Sequence, residues 1–343
     1  MKKVLWQNTM VKDKRFLLSF IVALSALATL IWFGSREKSD PAEEQSQKIS
    51  SIKSMIEAYR RNLLERAARD RSAKKKIPPD EDEIIRRYTQ RLLLEILESA
   101  DDYLNDPQGY IRDLIDTSSS EIPYHKVNGI IGREHLPMLE SMLRDRSYSK
   151  QWPDIALIVG YMGAGQDGAD ILMDYITRHD VYDNRSDKRY NEGNKIFHIQ
   201  LLGMTGYTGY NDFLRRALTR EGAERLAWNM INDPDLIPTG NNINVREDMI
   251  NKVITLAARS LVFLGDEQDK NTLKNLYEQE RAKRLSGETT TFRLFDGMAE
   301  VMALMEFAET FSAQHYFYQF DFRESEPSIY INYYLKLVDK YRI

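Results

Sequence analysis

A recurring turn limits the fold more than any other feature. An apolar helix end, a small residue, a second small residue three positions on, a polar turn and a leucine follow one another in NGIIGREHLPML (128–139), IVGYMGAGQDGADIL (158–172), LLGMTGYTGYNDFL (201–214) and LVFLGDEQDKNTL (261–273). A degenerate fifth instance is LMEFAETFSAQHY (304–316). The second small residue falls at Gly132, Gly163, Gly206, Gly265 and Ala308, in steps of 31, 43, 59 and 43 residues. Stacked helix-pair repeats run at roughly 30 to 47 residues. The longest step contains the polar Pro/Gly/Asn stretch 232–242, which reads as a loop insertion. In such a stack each helix pair buries its apolar side only against its neighbours. Glycine at the corner lets backbones approach and accepts a left-handed helix end. Leu139, Leu172, Leu214 and Leu273 are then expected in the grooves between pairs.

Ten prolines and 17 glycines are few for 343 residues, and long runs of helix formers dominate. Alternating β-branched runs are nearly absent, so the chain is predicted to be all-α. Leu202-Gly203-Met204-Thr205-Gly206 and Leu264-Gly265-Asp266 carry a family likeness. Over about residues 120–320 the chain resembles the HEAT and HEAT-like helical repeats. It departs from them where the aspartate closing the first helix of a pair is clear only in Leu143-Arg144-Asp145, where the insertion breaks the period, and where the last unit lacks glycine. The resemblance implies an α-α superhelix, or α-solenoid, of four or five units with a protein-binding role and no catalysis.

At the N-terminus Lys2, Lys3, Lys12, Lys14 and Arg15 precede an apolar run from Phe16 to Gly34 that no charge interrupts. At about 1.5 Å per residue a helix of this length just covers a hydrocarbon core of about 30 Å. Trp32 and Phe33 fall where an interfacial aromatic anchors a span. Basic residues before the run put residues 1–15 in the cytoplasm and everything after Ser35 outside it. Two readings stay open: an uncleaved anchor, or a signal peptide cut after Ala26-Leu27-Ala28, which makes the product secreted. Cleavage there leaves Thr29–Phe33 as an apolar new terminus, which favours the anchor.

Residues 35–119 form a juxtamembrane helical region. Ile49, Ile52, Ile56, Tyr59 and Leu63 recur at steps of three and four, and Pro78-Pro79 ends that helix. A second helix starts at Asp80 and ends near Pro107, and a third covers 110–115. The first two form a helical hairpin, or the first pairs with a second copy in a homodimer. Residues 120–343 are the repeat domain, and Ile329–Val338 form a helix covering its last unit.

Lys and Arg number 48 against 52 Asp and Glu, for a net charge of −4. Nucleic-acid binding needs a basic excess, so it is not expected. No cysteine is present, which removes disulfides, thiolate metal sites and cysteine nucleophiles. His125, His135, His179, His198 and His315 form no HExxH pattern. The segment 182–187 fails the calcium-loop pattern, with Arg185 at the third position, and reads as an inter-helix loop. Gly160-x-x-Gly163-x-Gly165 follows a helix and lacks the Lys-Ser/Thr ending of a phosphate loop. No catalytic residue, cofactor or metal ligand is assigned.

Tyr161, Tyr207 and Tyr210 sit at the corners, on one edge of a stack. Tyrosine is favoured at contact surfaces, so these three are the candidate partner-binding residues, with packing between units as the competing use. The expected function is a membrane-anchored extracytoplasmic scaffold for a protein partner. A glycan-active enzyme of α/α type and a chaperone-like holder of exported chains are the rivals.

Overall fold

The computed structural model of the chain describes residues 95–117 apart from 97, 122–228 apart from 183, 242–287, 292–310 and 329–342. The chain divides into two compact units, Met1–Ile77 and Pro78–Ile343, and all described residues belong to the second. The apolar run 16–34, the amphipathic segment 49–63 and all of the loop insertion 232–242 except Asn242, which opens a helix, lie outside them. Among the described residues every regular element is an α- or 3₁₀-helix, so the chain is all-α as expected.

The helices form two layers. One contains α3 (Trp152–Tyr161), α5 (Arg185–His198) continued by the short α6 (Leu201–Met204), α9 (Asn242–Leu264) and α11 (Phe292–Thr310). The other contains α2 (Leu136–Arg144), α4 (Gln166–Thr177), α7 (Asn211–Ala217) with α8 (Arg220–Leu226), α10 (Glu267–Leu285) and α12 (Ile329–Arg342). Helix α1 (Pro107–Thr117) precedes both. In the first layer α3 packs on α5 and α6, these on α9, and α9 on α11. Second-layer helices fill the spaces beside them: α4 touches α3 and α5, α10 touches α9 and α11, and α12 lies on α11.

Sequence explains which layer is inner. Helix α3, WPDIALIVGY, is apolar nearly all round and buries Trp152, Ile155, Ala156, Ile158 and Val159. Helix α10 is polar apart from one stripe, and buries Asp269, Leu273, Tyr277 and Glu280. A helix wet on one side needs only such a stripe. The four corner leucines, Leu139, Leu172, Leu214 and Leu273, are all fully buried.

Local signals set the helix starts. Asp266 caps α10 in a reciprocal box with Asp269. Thr219 Oγ1 accepts from Gly222 N at the start of α8. Asn184 Oδ1 accepts from Asp187 N at the start of α5. That cap corrects one expectation, since Arg185–Asp187 form the first turn of a helix and not a loop. A second correction concerns Ala308, which lies inside α11, whose last residue is Thr310. Alanine has high helix propensity and does not need a left-handed conformation, so the helix runs past it.

At two corners the two small residues do different jobs, whereas Gly132, with φ of −82°, and Gly265 do not take the left-handed conformation expected there. Gly160 and Gly203 sit inside helices and let the next helix approach. A Cβ on Gly160 would lie 2.8 Å from Leu201 Cβ, and one on Gly203 2.8 Å from Ser260 Cα. Gly163 and Gly206 make the turns, with φ of +61° and +75°.

Candidate functional site

The corners adjoin one another through hydrogen bonds in register. Asn128 Nδ2 donates to Tyr161 O at 2.9 Å, Gly165 N to Thr205 O at 2.9 Å, and Asn211 Nδ2 to Leu264 O at 3.0 Å. Each bond satisfies a carbonyl that the end of an inner-layer helix leaves without an intrahelical partner. Side chains link the outer layer in the same order. Arg178 Nη2 donates to Leu143 O at 2.7 Å, Tyr210 OH to Asp170 Oδ1 at 2.6 Å, Arg215 Nε to Asp269 Oδ1 at 2.7 Å, and Tyr277 OH to Tyr341 O at 2.7 Å.

The three candidate tyrosines are half-buried and belong to this edge. Tyr161 meets Tyr124 edge-to-face at 5.3 Å, and Tyr207 meets Tyr210 in the same way at 5.7 Å. With Tyr124 they therefore make two pairs, at two neighbouring corners. The hydrogen bond to Asp170 comes first in pushing the Tyr210 hydroxyl up to about 12. It stays a neutral donor at any physiological pH.

A second feature lies at the far end of the same helices. Lys195 on α5 is 2% exposed. Its ammonium donates to Arg178 O at 2.6 Å, Asp180 Oδ2 at 2.6 Å and Glu192 Oε1 at 3.1 Å. All three protons are used, as a buried ammonium requires. Tyr182 OH donates to the same Glu192 oxygen at 2.6 Å, and Arg178 Nε to Asp180 Oδ1 at 2.8 Å. Burial and then the Glu192 bond raise the Tyr182 hydroxyl far above the usual phenol range. Behind the cluster lies His198, fully buried, with Nδ1 unpaired and 5.7 Å from the Tyr175 ring. Burial holds its imidazole down at about 3.

This cluster forms one wall of a pocket of about 280 Å³ between α4, α5 and α8. Ile176, Ile196, Ile199 and Leu226 supply its apolar surface. Glu192 and Lys195 supply its polar wall, and Trp228 stands at its rim, 56% exposed. Sequence reading missed these residues. The signal was there: Asn191, Glu192 and Lys195 occupy the same face of α5 as Ile196 and Ile199. A helix that puts charges in its apolar stripe has to pair them inside.

The remaining histidines serve structure or lie elsewhere. His125 Nε2 is 3.4 Å from Glu95, His135 Nε2 is 3.0 Å from Tyr103 OH, and His315 is outside the described residues. Among the described residues no group of three His, Asp or Glu could hold a metal ion, and no helix is long and apolar enough to cross a membrane. Comparison with known proteins adds nothing to this geometry: no family model, curated protein or solved structure matches the chain.

Proposed function

We propose that the chain is a membrane-tethered scaffold outside the cytoplasm, whose corner edge binds a protein partner through Tyr161, Tyr207 and Tyr210. The observation that carries this reading is the register of the corner hydrogen bonds from Asn128, Gly165 and Asn211. Corners that repeat their contacts support an α-solenoid of the HEAT-like kind, in which each unit presents an equivalent edge. The tether is the apolar run 16–34, read from the sequence with its basic flank.

The pocket bears on the rival enzyme. Hydrolysis of a glycosidic bond by the usual route uses two carboxylates, roughly 5 to 9.5 Å apart, flanking the bond. Glu192 is the one carboxylate among the described residues lining the pocket, and its Oε1 is already held by Lys195 and Tyr182. That arrangement favours holding a molecule over cutting one.

The test is photo-crosslinking in membranes. A benzophenone amino acid replaces Tyr207 in the full chain, and Lys274 on α10 in a control. A discrete protein adduct from position 207 but not 274 is expected. Equal or absent adducts at both positions, or an inactive C-terminal fusion to a phosphatase that works only outside the cytoplasm, would reject the proposal.

A further inference from the structure

The pocket between α4, α5 and α8 contains an atom that the fold leaves unused. Both hydrogen bonds to Glu192 fall on Oε1, from Tyr182 and from Lys195. Oε2 has no partner, yet it is not among the side-chain oxygens sealed from solvent. Glu192 is 6% exposed, so its carboxylate is fixed in place and opens only toward the pocket. A carboxylate oxygen held in place and open to the pocket can accept a hydrogen bond from a ligand without giving up a protein partner.

The surroundings define that donor. Within the cluster Lys195 and Arg178 balance Asp180 and Glu192, and Arg225 stands at the rim. Arg225 is itself paired with Glu221, so no charge is left over to draw an ion in, and a neutral hydroxyl is the matching donor. Apolar walls from Ile196, Ile199 and Leu226 ask for a ligand with an apolar face. Trp228 offers a flat indole at the mouth, and Thr177 and His179 add further polar atoms there. A phenol could also stack on the indole, but its single hydroxyl would be taken by Oε2 and leave none for the polar atoms at the rim. A polyol ring uses both. The volume of about 280 Å³ suits one ring and lies just below the usual range of pockets for larger ligands.

From the free Glu192 oxygen, the apolar walls and the indole at the rim, we infer that this pocket binds a single pyranose ring, with a ring hydroxyl donating to Glu192 Oε2 and the C–H face stacked on Trp228. The inference is independent of the scaffold reading, since a chain with or without a protein partner can hold a sugar here. A free sugar and the end of a glycan chain share this chemistry.

The experiment is saturation-transfer NMR on the full chain in nanodiscs, with glucose, galactose, mannose and N-acetylglucosamine as free sugars and as methyl glycosides. Saturation of ring C–H protons by at least one pyranose is expected. Binding of its methyl glycoside identifies a chain end as the source, and binding of the free sugar alone identifies a soluble one. Trp228→Ala weakens binding about tenfold and Trp228→Phe restores most of it, because stacking needs an aromatic face. Thr177→Tyr blocks the mouth from an exposed position and abolishes the signal. Glu192→Gln also weakens binding, with its melting curve reported alongside. No signal from any sugar, a signal unchanged by Trp228→Ala, or binding of N-acetyltyrosinamide in place of the sugars overturns the inference.

Discussion

Two glycines three residues apart meet different physical demands, and mutation separates them. Gly206 has φ +75° and open space where a side chain would go. Gly206→Ala therefore costs only the left-handed strain, about 1 kcal/mol, and Gly206→Asn costs less. Gly203 has ordinary helical backbone, but its Cβ would meet the backbone of Ser260. Gly203→Ala must push α6 from α9 and costs about 1–3 kcal/mol, with no relief from asparagine. Urea denaturation of the four variants reads the contrast. At the same scale His198 makes the fold acid-sensitive. Its folded value of about 3 lies below the usual imidazole value, so below about pH 6.5 the unfolded chain binds the extra proton. Stability from this residue is complete above that pH and falls as the pH drops toward 3, by up to about 1.4 kcal/mol per pH unit. Melting temperatures at pH 7 and pH 5 should differ more for the native chain than for His198→Phe.

At the scale of elements, α10 shows how one short motif serves two purposes. Asp266 and Asp269 cap its N-terminus, and Asp269 also receives Arg215 from α7. The Arg215 bond comes first in holding the Asp269 carboxyl below its usual range. Its contribution is present at neutral pH and is lost as the pH falls through that lowered range. Asp266→Ala removes the cap together with an exposed 3.2 Å contact from Arg215 Nη2, and should cost about 1 kcal/mol in urea denaturation. A loss near zero would mean that packing of Leu273 and Tyr277 holds the helix without it. The break between α5 and α6 has a similar economy. Ser260 Oγ donates to Ile199 O at 2.8 Å, so a carbonyl left by the break with only a 3.3 Å bond from Leu202 N gains a second donor from α9.

At the scale of the whole molecule, the last helix covers an apolar face that would otherwise meet water. Helix α12 buries Tyr334, Leu337 and Val338 against α11 and accepts the Tyr277 hydrogen bond at Tyr341 O. Truncation after residue 328 uncovers that face of α11, including Phe307, which packs on Tyr333 and Tyr334. The truncated chain should melt earlier and bind a hydrophobic dye, and unchanged melting would show that α12 is dispensable. Deletion of residues 1–34 should move the protein from the membrane pellet to the soluble fraction, which tests the tether apart from the repeat.

Periodicity along the chain determined the all-α class, the corner positions and the burial of the four leucines, because each depends on residues within one or two helical turns. The same local logic expected helices at 110–115 and 329–338, and they run over 107–117 and 329–342. It misjudged Arg185–Asp187 because a cap looks like any polar loop until its helix is seen, and Ala308 because smallness alone does not bend a chain. The ion cluster of Lys195, Glu192 and Asp180 and the rim tryptophan come from different parts of the sequence and meet only in three dimensions. Whether a charge is paired or solvated depends on what faces it across the fold, so tertiary structure alone decided that α5 carries a pocket wall.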